Sequence, residues 1–302
     1  MKYGIFGGAV NDGTLDDIVA EAASAERDGF AAYWAPNIFG HDAIGALTVV
    51  GTKVPRIELG TSVVPTFPRH PHAIAQQAHT AAAASGGRFT LGIGLSHKIV
   101  IENMLGLSYD KPVRHLREYL SVLMPLSRNE PANFEGEMYT VHAAVSAKGS
   151  DGFSVVVAAL GEQMLRVTAA MADGTLTWCT GPATLAAHTI PTITKAAEEF
   201  GRPAPRVIAA LPVCVTNDRE GAAIRAAETF AAYGALPSYR AMLDREGVAG
   251  PADIAIIGST AEVQERVGAL AGIGVTDFAA VEFGATPDEI TDTREALKGL
   301  LT

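Results

Sequence analysis

Short apolar segments alternate along the chain with longer amphipathic, Ala-rich segments, and this pattern occurs eight times. The apolar segments are hydrophobic throughout, which is typical of parallel strands that are buried on both faces. The strands are predicted at residues 2–7, 31–36, 56–63, 89–94, 154–160, 175–179, 206–216 and 275–284. Eight strand–helix units in one α/β chain favour a (β/α)₈ barrel, the TIM barrel, over a doubly wound sheet.

Capping signals mark the predicted helices between these strands. Thr14 with Asp17 and Ser259 with Glu262 have the spacing of an N-terminal capping box. Pro112 stands where the first turn of a helix tolerates proline. These helix signals therefore fall between predicted strands, as a barrel requires.

Two segments interrupt the pattern and are interpreted as insertions, at about residues 127–150 after strand 4 and 234–258 after strand 7. The first contains NFEGEMYTV, which predicts a small hairpin turning at Gly136. The second is predicted to be irregular. Because the strand–helix pattern resumes after each, we expect residues 1–302 to form a single barrel domain.

Composition limits the class of partner. Hydrophobic residues make up 48% of the chain, so a large core is available. The net charge is −10, which makes duplex nucleic acid a poor partner. The apolar run at the start is too short for a signal peptide, and no segment approaches the roughly 18 apolar residues of a membrane span. Cys179 and Cys214 lie in apolar segments, which favours buried thiols in a reducing cytoplasm over a metal pair or a disulfide.

In a (β/α)₈ barrel the active site lies at the carboxyl ends of the strands, and several of these ends carry small residues. The stretch GTSVVPTFPRHP, residues 60–71, begins with three of them and then continues into a proline-rich loop. Small residues fit tight turns, but as a set they favour a flat cofactor lying against the backbone. Arg69 and His70 are expected mainly to anchor this loop, with catalysis as the less favoured role.

Two helix starts could bind a phosphate through free backbone N–H groups. Gly161 precedes the predicted helix that starts with Glu162, and Thr180–Gly181 follows strand 6. Ser96, His97 and Lys98, after strand 4, supply donors and positive charge nearby.

Three residues are candidates for proton transfer: His97, His41 and Glu282. The two histidines follow strands 4 and 2. Glu282 lies within an apolar strand, and the sequence leaves open whether it is a salt-bridged core acid or faces the pocket. No histidine pair has the HExxH spacing and no Cys–His set suggests zinc, so no metal site is predicted.

The segment RHPHAIAQQAHTAAAASGGRFTLGIGLS, residues 69–96, resembles the signature of the bacterial luciferase-like superfamily of (β/α)₈ oxidoreductases. The strand order agrees over nearly the whole chain, and both insertions fall where that superfamily has them. Within it the chain looks most like the branch that uses the deazaflavin coenzyme F420. Residues 94–120 are similar to an actinobacterial subgroup of that branch.

The resemblance implies a set of cofactor contacts. A non-proline cis peptide bond is implied at Ser62–Val63, behind the ring system of the cofactor. The phosphate and tail would lie over a loop and helix start, flanked by residues after strands 4 and 6. The implied contacts beyond Ser62 and Val63 are Ala159, Leu160, Gly161, Glu162, Gln163, Ser96, His97 and Thr180.

This sequence departs from the branch in one place. Many relatives have Asp–His at the end of strand 2, whereas Pro36–Asn37 stands here and His41–Asp42 follows a few residues later. An acid/base role therefore does not transfer from those relatives to this chain.

The resemblance implies hydride transfer between F420 and a small organic substrate. The substrate should be mostly apolar, because the residues placed near the mouth are largely aromatic: Phe6, Trp34, Phe39, Phe67, Trp178 and Phe283. An FMN-dependent monooxygenase of the same superfamily is the first alternative. A non-catalytic flavin- or deazaflavin-binding protein is the second. Members of the superfamily are commonly dimers, so a homodimer is expected.

Overall fold

Eight parallel strands close into a barrel in the computed structural model, which describes residues 1–301. Each strand pairs with the next along the chain, and the eighth pairs with the first. The strands are β1 (Lys2–Phe6), β2 (Ala32–Ala35), β3 (Glu58–Thr61), β4 (Phe89–Gly94), β5 (Ser154–Val157), β6 (Gly174–Trp178), β7 (Arg206–Val215) and β8 (Asp277–Glu282). The predicted (β/α)₈ barrel is confirmed.

Helices surround this barrel. The longer ones are α1 (Leu15–Asp28), α2 (Ala43–Lys53), α3 (Pro71–Ala84), α4 (Pro112–Ser127), α5 (Glu162–Met171), α6 (Ile190–Glu199), α7 (Arg219–Thr229), α8 (Pro237–Glu246), α9 (Thr260–Gly272) and α10 (Pro287–Lys298). Thr14 and Ser259 form the predicted capping boxes with Asp17 and Glu262. Pro112 occupies the first turn of α4, as expected.

Three short helices and two π-helical segments lie between these longer helices. Their bounds are Ala9–Asp12, Ile99–Met104 (π), Pro182–Thr184, Leu185–Thr189 (π) and Ala231–Ala235. The second π segment leads directly into α6, where Pro191 lacks the N–H that an α-helical hydrogen bond would need.

The first insertion contains the predicted hairpin. Its strands, Ala132–Glu135 and Thr140–Ala143, are antiparallel, and Gly136 lies in the turn. The carboxylate of Glu118 on α4 accepts hydrogen bonds from the backbone N–H groups of residues 137, 138 and 139 at 3.2, 2.7 and 3.3 Å. One α4 side chain therefore fixes the hairpin tip.

The second insertion is not irregular, and this prediction is wrong. Residues 234–258 contain α8, a 3₁₀ turn at Pro251–Ile254 and a short strand, Ile256–Gly258, that pairs with β7. Proline starts α8, and Gly247 ends it in the left-handed region, with a φ of 79°. These terminal signals are in the sequence, but the helix between them has little apolar periodicity.

The barrel interior is filled by its own side chains. A cluster of buried residues occupies it: Ala32, Trp34, Val156, Leu176, Ile208, Ala210 and Ala279. At the N-terminal ends of the strands, Arg206 pairs with Glu58 and Asp277. At the opposite end, the side chains that pack on this cluster are only partly buried, which makes this end the mouth. No helix within residues 1–301 has the length and apolar character that crossing a membrane requires.

Candidate active site

Three apolar side chains form the floor of the barrel mouth. Phe6, Val63 and Trp178 pack on the interior cluster and remain partly exposed. The rings of Phe6 and Trp178 are stacked, with centroids 6.0 Å apart and planes at 27°. Such a floor suits a flat, aromatic ligand.

The loop after β3 supplies Val63 to this floor. The peptide bond between Ser62 and Val63 is cis, at the position that the resemblance implies. Val64–Pro65 then pairs with the end of β4, and Thr66 donates its backbone N–H to the carbonyl of Gly94 at 2.9 Å. The loop is thus tied to the neighbouring strand directly behind the mouth.

Three glycines of β3 and β4 are packed against other groups of the protein on the side where a Cβ would lie. That the small strand-end residues accommodate a flat cofactor stays a prediction. The space beside Gly60 is filled by the indole of Trp34, and that beside Gly92 by the backbone of Thr61. A Cβ on Gly94 would lie 2.6 Å from Cγ2 of Val63. These glycines make room for other groups of the protein itself.

The N-terminus of α5 is open. Gly161 is exposed, a Cβ there would meet no atom within 4 Å, and no side chain within residues 1–301 caps the helix. Glu162 and Gln163 are exposed beside it. Leu160 is half-buried, and its carbonyl lies 2.8 Å from Nε2 of His188. The backbone N–H groups of this turn can therefore receive an anion.

Ala159 is fully buried in the main core. The cofactor contact that the resemblance implies there stays a prediction.

The second predicted phosphate site is already filled. The carboxylate of Glu246, at the end of α8, accepts hydrogen bonds from the N–H groups of Ala183 at 3.0 Å and Thr184 at 2.6 Å. Thr180 is buried, and its hydroxyl donates to the carbonyl of Trp178 at 3.3 Å. A carboxylate of the chain occupies this helix terminus and would repel a phosphate there. The cofactor contact that the resemblance implies at Thr180 stays a prediction.

A cleft of about 520 Å³ opens beside the mouth. Its inner wall carries Ser96, His97 and Tyr109, and its opposite wall is the start of α8 at Leu236–Ser238. Burial lowers the pKa of His97 below its usual value. His97 is consequently a mainly neutral imidazole at neutral pH, able to accept or donate a proton.

Two tyrosine rings connect this histidine to the floor. His97 lies 5.4 Å from Tyr239, Tyr239 lies 5.4 Å from Tyr233, and Tyr233 lies 5.5 Å from Trp178, all between ring centroids. Burial raises the pKa of both tyrosines, so both hydroxyls stay protonated. Neither tyrosine was predicted as part of the site. Tyr239 lies in the second insertion, which was predicted to be irregular, and Tyr233 directly precedes that insertion.

The other two proton-transfer candidates are engaged elsewhere. Nε2 of His41 lies 3.0 Å from the carbonyl oxygen of Gly13, on the loop that precedes α1. The carboxylate of Glu282 receives two hydrogen bonds from Arg294 on α10, one of them at 2.8 Å from Nε. The structure thus favours the salt-bridged interpretation of Glu282 and places only His97 at the cleft.

Polar residues after β2 and β3 hold their own loops. Asp42 caps α2 by accepting from the N–H of Gly45 at 2.7 Å, and it also pairs with Arg69. Nδ1 of His70 accepts from the N–H of His72 at 3.2 Å, at the start of α3. The expected anchoring role of Arg69 and His70 agrees with these contacts.

The aromatic residues predicted near the mouth have different environments. Trp34 is buried in the core, Phe39 is 70% exposed, and Phe67 stacks on the ring of His115 on α4.

The two cysteines are buried free thiols. Within residues 1–301 no three His, Cys, Asp or Glu side chains are grouped so that they could hold a metal ion.

Comparisons with known proteins fit this architecture. The family model of the luciferase-like monooxygenases matches residues 1–301. The chain belongs to this family. This membership confirms the resemblance seen in the sequence.

This luciferase-like chain is similar to 5,10-methylenetetrahydromethanopterin reductase of Methanolobus tindarius, with 28% identity over 89% of the chain and 82% of the relative. It is also similar to F420-dependent glucose-6-phosphate dehydrogenase of Segniliparus rotundus, with 32% identity over 62% of the chain and 61% of the relative. The structure of the coenzyme F420-dependent tetrahydromethanopterin reductase of Methanopyrus kandleri superimposes with a TM-score of 0.81 at 21% identity, over 100% of the chain and 97% of that structure. This last likeness concerns the fold.

Proposed function

We propose that this protein is an oxidoreductase that transfers a hydride between coenzyme F420 and a small, mostly apolar organic substrate. The observation that carries the proposal is the pairing of an apolar floor with an open helix terminus at one barrel mouth. The named F420-dependent relative, at 32% identity, supports the choice of cofactor.

The residues present fit such a cofactor. Phe6, Val63 and Trp178 would support the flat ring system, and the N–H groups after Gly161 would hold its phosphate. Ser96 and His97 would lie beside the ring at the inner wall of the cleft. When bound, F420 supplies a hydride donor or acceptor at C5 of its ring.

His97 would donate or accept the proton that accompanies the transferred hydride. A neutral imidazole at the cleft wall can hold a proton on one ring nitrogen and receive one on the other. The geometry therefore favours His97 over His41 and Glu282, which are bound to other parts of the protein.

The cleft favours an uncharged substrate. Of the residues that line it within the described chain, Lys98 is the cation; its side chain is 71% exposed and lies 3.7 Å from Glu102. An exposed and paired lysine gives little binding energy to a substrate phosphate. A small apolar compound with a single oxygen function fits this lining better.

An FMN-dependent monooxygenase is the second candidate, favoured by the description of the family. Both cofactors are flat tricycles with a ribityl phosphate, so one floor and one helix terminus serve either. Titrating the purified protein with F420 and with FMN separates them. We expect micromolar or tighter F420 binding; FMN binding in that range without F420 binding would overturn the proposal.

An activity assay distinguishes the proposed enzyme from a non-catalytic binding protein. We expect the wild type to change the absorbance of F420 with a panel of alcohols and ketones, and His97→Ala to lose at least about tenfold in rate. His142→Ala, on the exposed hairpin, is the matched control and should keep the wild-type rate. F420 binding with equal rates for all three proteins would remove His97 from the reaction.

We also propose a homodimer in solution. Light scattering during size-exclusion chromatography would give the mass directly, and a mass near 31.4 kDa would contradict it.

A further inference from the structure

We propose that Thr66 and His115 form a positioning pair that holds the loop after β3 in the conformation that presents Val63 to a bound cofactor. Neither residue is placed at the mouth itself. The part of the inference that is tested by cofactor binding rests on the proposed function. The part that is tested by the order of the loop does not depend on it.

His115 lies in the first turn of α4 and is only 2% exposed. Its Nε2 lies 2.9 Å from the hydroxyl oxygen of Thr66, and its Nδ1 lies 3.4 Å from the hydroxyl of Tyr139. Its ring stacks on Phe67, with centroids 3.8 Å apart and planes at 7°. A single imidazole therefore contacts two consecutive loop residues and the inserted hairpin.

Thr66 connects these contacts to the mouth. It is fully buried, its hydroxyl meets His115, and its backbone N–H donates to Gly94 on β4. Three residues earlier, Val63 packs on the interior cluster as part of the mouth floor. A displacement of Thr66 is transmitted through Val64–Pro65, which pair with β4, to the floor.

The chemistry of a neutral imidazole suits this place. It has one N–H donor and one acceptor nitrogen, and a hydroxyl can serve as partner to either. Both ring nitrogens are therefore satisfied, one by the loop and one by the hairpin. Phenylalanine could keep the stacking on Phe67 but would leave the buried hydroxyl of Thr66 without this partner, which is costly.

The hairpin side of the contact is itself fixed. Glu118, three residues after His115 on α4, holds the backbone N–H groups of the hairpin tip, including that of Tyr139. His115 is thus braced between a rigid hairpin and the loop. Through Tyr139 and His115, the first insertion therefore contributes to holding the loop after β3.

A second buried histidine provides a matched control. His79 on α3 is fully buried, with Nδ1 2.7 Å from the hydroxyl of Ser150 and Nε2 2.8 Å from the carbonyl of Leu126. Leu126 lies in the last turn of α4 and Ser150 follows that helix, on the side of the barrel away from the mouth. Replacing it removes the same type of contact without touching the loop after β3.

The test compares Thr66→Val, His115→Phe and His79→Phe with the wild type. Hydrogen–deuterium exchange of residues 62–70, the thermal midpoint and the Kd for F420 and for FMN are measured for each. We expect Thr66→Val and His115→Phe to exchange faster in the loop and to bind the preferred cofactor about tenfold more weakly, the equivalent of one lost hydrogen bond. His79→Phe should lower the thermal midpoint while its loop exchange and Kd stay at the wild-type values.

Two results would overturn the inference. One is wild-type loop exchange and wild-type Kd in both Thr66→Val and His115→Phe. The other is an equal rise of Kd in His79→Phe, which would mean that any loss of stability weakens binding. If the wild type binds neither cofactor, the proposed function fails, and the exchange of residues 62–70 decides the inference alone. Thr66→Val conserves the shape of the side chain, so this variant still tests the inference even if His115→Phe does not fold.

Discussion

The side chain of Val63 occupies the space that a Cβ on Gly94 would need, with Cγ2 only 2.6 Å from that position. Gly94 ends β4, and Val63 belongs to the floor of the mouth. Glycine at this strand end therefore shapes the floor indirectly, by letting the neighbouring loop approach.

Gly94→Ala should displace Val63 and weaken cofactor binding at least about tenfold, while overpacking costs about 1–3 kcal/mol of stability. Titration with F420 and urea unfolding measure the two effects. Gly268→Ala is the control, because a Cβ at this position in α9 meets no atom within 4 Å. Gly268→Ala should bind F420 with the affinity of the wild type. Wild-type affinity in Gly94→Ala as well would mean that the floor has no part in binding.

Gly161→Asp tests the open terminus of α5. The new carboxylate would cap the free N–H groups, as Glu246 does at the helix start after β6. We expect stability to rise by a few tenths of a kcal/mol and the affinity for F420 to fall at least about tenfold, because the carboxylate replaces the phosphate. Gly161→Ala should change neither by much. Unchanged affinity in the aspartate variant would place the phosphate elsewhere.

The barrel was predictable because its signals are local. Each strand is a continuous apolar segment, and capping residues such as Thr14 and Ser259 mark where helices begin. α8 was missed for the opposite reason. Its terminal signals, Pro237 and Gly247, are clear, but its interior is mostly polar and carries little of the periodicity by which helices are recognised.

The site depended on contacts that are distant along the chain. Glu246 closes the helix start at Ala183 from 63 residues away, and no pattern near Thr180 indicates it. The partner of Glu282, Arg294, lies on the next helix. Sequence reasoning placed Gly161 and His97 at the mouth because strand order alone decides which residues follow a strand.

The buried state of His115 predicts a pH dependence of stability. Burial lowers the pKa of this histidine to about 4, although Glu118 acts in the opposite direction. Tyr119 and Tyr139 also face the ring. Below its usual pKa of about 6.5 the unfolded chain binds a proton that the folded protein rejects, so stability present above pH 6.5 is lost as the pH falls through about 4.

Urea unfolding of the wild type and His115→Gln at pH 7 and at pH 4.5 measures this contribution. The stability advantage of the wild type should shrink by about 2–3 kcal/mol between the two values, because glutamine does not titrate. Groups that both proteins share cancel in the difference. An advantage that stays constant with pH would contradict a lowered pKa at His115.

Arg206 should matter for stability alone. Its guanidinium donates to Glu58 at 2.6 and 3.0 Å and to Asp277 at 3.0 and 2.6 Å, and its Cζ lies 5.5 Å from the ring centre of Trp34. Arg206→Met leaves Asp277 without a cation and Glu58 with only the exposed Lys2 at 3.8 Å, which should cost about 3 kcal/mol. Arg206→Lys keeps the charge and loses the forked geometry, so it should cost less. Because the network closes the end of the barrel opposite the mouth, the Kd of the folded variants for F420 should equal that of the wild type; weaker binding at unchanged stability would contradict this division between the two ends.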